Sequence, residues 1–179
     1  RCSREWITSC RLSGIHVDDP LVTDDARALI ADLTVRRETL ATAESLTAGL
    51  LSATLAGVAG ASAVLRGGLV TYTEDTKMSL AGVPPQVLKA VGPVAAPTAR
   101  ALAVGARQRC GATWGIGLTG VAGPEPHGGH PVGTVFIGWA GPRDTEVVEL
   151  RLDGSRWDIR LAAVHEAVAG LRSLITRDV

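Results

Sequence analysis

The stretch ETLATAESLTAGLLSATLA, residues 38–56, decides the fold. Its opening, ETLATA at 38–43, reads as a short strand. Ser45 to Ala56 is rich in Ala and Leu and reads as a helix, with Ser45 at the position expected of an N-cap. A strand, a sharp turn and a helix in direct succession form the unit from which helix-covered sheets are assembled. Working outward, residues 20–35 carry Leu21, Ala26, Leu29, Ile30 and Leu33 at helical spacing behind Asp24 and Asp25, which predicts a first helix. On the other side, a Gly-rich bend precedes LRGGLVTYT (65–73), read as a strand, and EDTKMSLAG (74–82), read as a short helix stopped by Gly82 and Pro84-Pro85.

The remaining chain repeats the alternation. A helical turn is expected at 86–91 and a longer helix at 97–110, with Pro97 in its first turn and Gly111 past its end. TWGIGLTG (113–120) reads as a strand whose interior glycines imply close approach of a neighbouring backbone or a ligand. The loop VAGPEPHGGHP (121–131) leads to an apolar strand at 132–140, and 145–152 alternates as an edge or antiparallel strand does. A last helix opens at Ser155 with Asp158 three residues on, and Trp157, Leu161, Val164, Val168, Leu171 and Ile175 are expected on one face. The fold class is therefore α/β: a three-layer α/β/α sandwich with a mixed, mostly parallel sheet. Residues 1–20 are read as a disordered tail and 21–179 as a single domain.

Composition narrows the function. Hydrophobic residues make up 46% and charged residues 20%, and 18 Lys+Arg balance 18 Asp+Glu, so a compact globule is expected. Zero net charge and few aromatics disfavour nucleic acid as a partner. No apolar run is long enough for a membrane span, so no membrane partner is expected either. Cys2, Cys10 and Cys110 are odd in number and lack metal spacing; this fits a reducing, cytoplasmic location and gives no metal site. A small-molecule substrate and a homo-oligomeric state remain the expectation.

The chemistry-bearing residues gather around the same opening stretch. Ser45 at a strand-to-helix turn is either a helix cap or a nucleophile beside unpaired amides able to hold an oxyanion. Only two lysines and one tyrosine occur in the chain, and Tyr72 and Lys77 stand five residues apart. A buried Lys77 with a lowered pKa could serve as the base for Ser45 and Tyr72 as a proton relay; the alternative is a solvated lysine and a packing tyrosine. Glu44 either complements the helix dipole or orients a substrate amine or ribose hydroxyl. Thr47 either adds a donor to the anion site or completes the turn. Gly120 and Gly123 lie in a glycine-rich loop whose amides could cradle a phosphate, although no Walker or dinucleotide pattern is present. His127 and His130 are read as solvent-exposed loop histidines or as contacts to phosphate or a metal.

Three motifs in register, TAESLTAGLL (42–51), GASAVLRGGLVTYTEDTK (60–77) and IGLTGVAGPEPHGGHPVGTVFIG (116–138), resemble the CinA C-terminal domain family, that is, the nicotinamide-nucleotide amidases. The resemblance spans roughly residues 20–175. It implies hydrolysis of the carboxamide of nicotinamide mononucleotide to nicotinate mononucleotide and ammonia, with no cofactor. It implies Ser45 as nucleophile, Lys77 as base and Tyr72 as relay, with Glu44, Thr47, Gly120 and Gly123 as substrate-binding candidates. The family form AESCTGG stands here as AESLTAG, with Leu46 for Cys and Ala48 for Gly, the latter adding a methyl at what is expected to be a close-packed turn. A catalytically silent nucleotide-binding or interaction module, and a serine amidohydrolase for another small amide, are the competing readings.

Overall fold

The computed structural model describes residues 19–177, so expectations resting on residues 1–18, including the tail, lie outside the described residues. The element order is α1 (Asp24–Arg36), β1 (Leu40–Glu44), α2 (Leu50–Ala56), β2 (Leu65–Val70), α3 (Glu74–Ser79), α4 (Pro85–Val91), α5 (Ala96–Arg109), β3 (Trp114–Gly120), β4 (Thr134–Ala140), β5 (Thr145–Arg151) and α6 (Arg156–Arg177). The strands form one sheet in the order β2-β1-β3-β4-β5. β1 pairs parallel with β2 and β3, whereas β3–β4 and β4–β5 are antiparallel, so four of the five strands run one way and β4 runs against them.

Helices cover both faces, giving three layers. On one face α1, α2 and α6 bring Leu29, Leu33, Leu51, Leu55 and Leu171 onto Leu40, Ile116 and Ile137. On the other, α5 sets Leu102 and Ala106 against Ala41 and Ala43 of β1. Side chains alternate across a strand. Along β1, therefore, Ala41 and Ala43 meet α5, while Leu40, Thr42 and Glu44 turn toward α2. β1 is buried throughout, as a central strand covered on both faces must be.

The interior glycines of β3 serve packing. A Cβ on Gly117 would stand 2.4 Å from the Ala103 nitrogen and one on Gly115 2.1 Å from the Ala103 carbonyl oxygen, so α5 lies directly on bare backbone. The neighbour that the sequence implied at this strand is thus a helix.

Two local expectations are corrected. The helix read from Ser45 begins at Leu50, and residues 45–49 form a tight turn in which Ala48 and Gly49 both take positive φ, 51° and 94°. Ser45 is therefore not the cap of α2. Trp157, expected on the buried face of α6, is 49% exposed, although Ser155 and Asp158 do form the cap at that helix's start.

Candidate active site

Three parallel strands end on the same edge of the sheet, and each delivers part of one cavity. Ser45 follows β1, Tyr72 follows β2, and Gly120 to His127 close and follow β3. The chain passes from β1 to β2 on one side and then crosses back to β3 on the other side of β1, so the strand order reverses at β1; the crevice beyond the carboxyl ends at such a point is where α/β sheets bind ligands. The cavity measures about 550 Å³, and its charged lining residues are Glu74, Lys77, Glu125 and Arg156.

At its floor, Lys77 Nζ lies 2.9 Å from Ser45 Oγ and donates to the Thr71 carbonyl oxygen at 2.8 Å. α3 positions this lysine. Its N-terminus is fixed by a reciprocal capping box between Thr73 and Thr76, and Lys77, one turn in, is carried inward to 1% exposure. Burial disfavours the ammonium form and pushes the Lys77 pKa down to about 8, against an opposing attraction from Glu74. Ser45 is itself buried. A neutral Lys77 can give one N–H to Thr71 and turn its lone pair to the serine hydroxyl, which is the arrangement a serine nucleophile requires of its base.

Backbone donors beside Ser45 differ from those anticipated. The amides at the start of α2 are all engaged: Gly49, Leu51 and Ser52 donate to the Glu44 carboxylate and Leu50 to the Thr47 carbonyl. An oxyanion held by helix amides is thereby ruled out. The amides of Leu46 and Thr47 have no acceptor among the described residues, and Leu46 lines the cavity. An amide immediately after a nucleophilic serine is a recurrent oxyanion donor.

The other residues singled out by sequence separate into two groups. Gly120 and Gly123 line the cavity, as does His127, which with His130 closes a small backbone bridge. Glu44 and Thr47 do not line it. Glu44 is fully buried, its carboxylate engaged within the chain, and Thr47 Oγ1 is buried with no partner, so neither is placed to touch a substrate. Tyr72 lines the cavity but is 53% exposed, and its hydroxyl accepts from Arg156 Nη2 at 2.8 Å rather than joining Ser45 and Lys77. It forms a wall of the mouth of the same cavity that Ser45 and Lys77 line.

Two arginines of α6 were not anticipated. Arg156 bridges the mouth, donating to the Tyr72 hydroxyl and to the Gly123 carbonyl. Arg160 donates to the carbonyls of Leu46 and Thr47, both at 2.9 Å, and so ties the serine turn to α6 across more than a hundred residues of chain. Nothing local marks them among many arginines. Ala48, one of the two departures from the family form, is exposed, so its methyl crowds nothing; its cost is the left-handed backbone conformation.

Among the described residues no His, Cys, Asp and Glu cluster could hold a metal ion, and no helix is long and apolar enough to cross a membrane. The family model for the CinA C-terminal domain matches residues 23–175. A CinA-like protein of Frankia casuarinae is 46% identical over 153 residues, covering 85% of this chain and 35% of that protein. The chain thus spans about a third of the length of that relative. The solved structure of the competence/damage inducible protein CihA from Agrobacterium tumefaciens has a TM-score of 0.83 at 36% identity, covering 89% of this chain and 99% of that one. A CinA superfamily structure from Escherichia coli gives 0.83 at 30% identity, covering 89% and 94%. The chain belongs to the CinA C-terminal domain family.

Proposed function

We propose that this chain is a serine amidohydrolase that converts nicotinamide mononucleotide to nicotinate mononucleotide and ammonia. The observation that carries the reading is the buried contact between Lys77 Nζ and Ser45 Oγ at the floor of a cavity large enough for a mononucleotide. The carboxamide substrate is supported by the match of the three motifs to the nicotinamide-nucleotide amidases.

In this mechanism the Lys77 amine takes the Ser45 proton as Oγ attacks the carboxamide carbon. The oxygen of the tetrahedral intermediate is received by the Leu46 amide. Lys77 returns the proton to the leaving nitrogen, the C–N bond breaks, and ammonia departs from a Ser45 ester. Lys77 then deprotonates a water, which attacks the ester carbon; the proton passes to Ser45 Oγ and the carboxylate is released. Arg156, the one permanently charged cation among the residues lining the cavity, is assigned to the phosphate, with the amides of Ala122 and Gly123 beside it.

Incubating the purified chain with nicotinamide mononucleotide tests this. Equal amounts of ammonia and nicotinate mononucleotide are expected, and none from a folded Ser45→Ala variant. Binding without product would make the domain a nucleotide-binding module; turnover restricted to other amides would reassign the substrate.

A further inference from the structure

We infer that Glu44 is a positioning residue for the nucleophile: its carboxylate fixes the turn that presents Ser45, an inference that rests on the reading of Ser45 as a nucleophile. Glu44 is the last residue of β1 and the residue immediately before Ser45. Its backbone is held from both sides, since its carbonyl accepts from the Thr71 amide at 2.8 Å and the next amide, that of Ser45, donates to the Leu118 carbonyl at 3.0 Å. Its side chain faces α2. One carboxylate oxygen accepts from the Gly49 and Leu51 amides, each at 3.0 Å. The other accepts from the Ser52 amide at 2.8 Å, the Ser52 hydroxyl at 2.7 Å and the Thr42 hydroxyl at 3.0 Å.

Five donors therefore converge on one fully buried carboxylate, and every one comes from β1 or from the turn and first residues of α2. The chain leaves β1 at Glu44 and is caught again by the same side chain at Gly49, Leu51 and Ser52, so Ser45 to Ala48 form a loop closed on itself. Even Gly68 takes part: a Cβ there would stand 2.1 Å from the Ser52 hydroxyl, so the bare backbone leaves room for the donor. Both oxygens must be acceptors. A glutamine would set an NH2 group against two or three N–H and O–H donors, whichever way it turned. Because misplacing a reacting group by about 1 Å can cost about 100-fold in rate, a relaxed turn lowers the serine's reactivity while leaving the cavity wall in place.

A fluorophosphonate probe that phosphonylates activated serines reads this without the nucleotide. Wild-type protein is expected to be labelled at Ser45, and folded Glu44→Gln to be labelled about 100-fold more slowly, with kcat for the amide falling in parallel and KM little changed. Should Glu44→Gln not fold, the Ser52→Ala and Thr42→Ala variants, each removing one donor, are expected to label about 3- to 10-fold more slowly at unchanged near-UV circular dichroism. Labelling at the wild-type rate in folded Glu44→Gln, or in both donor variants where it does not fold, overturns the positioning role. Wild-type protein that is not labelled overturns it too, together with the serine nucleophile itself. Labelling of the wild type with no nucleotide turnover leaves the positioning role to be decided by the same labelling rates, and reassigns only the substrate.

Discussion

The floor and the mouth of the cavity are built on opposite terms. At the floor, Ser45, Lys77 and Thr71 are buried and joined by short hydrogen bonds, and behind them Glu44 collects five donors. At the mouth, Tyr72 is half exposed and the glycine-rich loop is held to it by one arginine, Arg156. A burial that depresses the lysine pKa cannot be achieved at the rim, and a rim that admits and releases a nucleotide, as the proposed function requires, cannot be sealed as the floor is. On the proposed function, the division puts bond breaking at the floor and substrate choice at the mouth.

Breaking the floor has the largest expected effect. Lys77→Ala removes the proposed base and is expected to lower kcat by about 10³- to 10⁴-fold, with circular dichroism showing the fold retained. On the proposed mechanism Lys77 acts as the free amine, so kcat/KM is expected to rise with pH and level off above a midpoint of about 8, and the residual activity of Lys77→Ala to lack that ascending limb. A midpoint near the ordinary lysine value of 10.5 would contradict the burial argument.

The mouth responds in another parameter. Arg156→Ala is expected to raise KM for the mononucleotide about tenfold, the loss of one charge-assisted contact, with kcat changed by less than about threefold. Nicotinamide riboside, which lacks the phosphate, should show no such difference between wild type and variant. An Arg156→Ala effect confined to kcat would erase the distinction between the two regions.

The smallest effect probes the turn between them. Ala48→Gly removes a Cβ from a left-handed position where nothing else crowds it, and the relief is offset by the greater freedom of glycine in the unfolded chain. A net stabilisation of about 0.5–1 kcal/mol is expected in urea unfolding, at unchanged m-value.

Much of this molecule was readable in one dimension because the determinants are local. The alternation of strand and helix patterns, the breaks at Gly82 and Pro84, and the cap formed by Ser155 and Asp158 depend on neighbours within a few residues. Ser45, Tyr72 and Lys77 stood out by type and spacing, and all three line one cavity. The failures share a cause. Ser45 resembled a helix cap because serine favours that position, but a carboxylate one residue earlier already binds the helix amides, and the helix starts five residues later. Glu44 and Thr47 resembled ligand contacts because they flank the serine, yet the alternation along β1 turns Glu44 under α2, and the turn buries Thr47.

By itself, then, the sequence determined which segments become strands and helices and which residue types were available for chemistry, since periodicity, glycine and capping act over a few residues. The tertiary structure alone decided that Lys77 reaches Ser45, that Tyr72 faces Arg156 instead, and that Arg160 holds the turn from the far end of the chain. Those pairings join residues 32 to 114 positions apart and exist only because strands β1, β2 and β3 end on one edge of the sheet, where α6 returns to meet them.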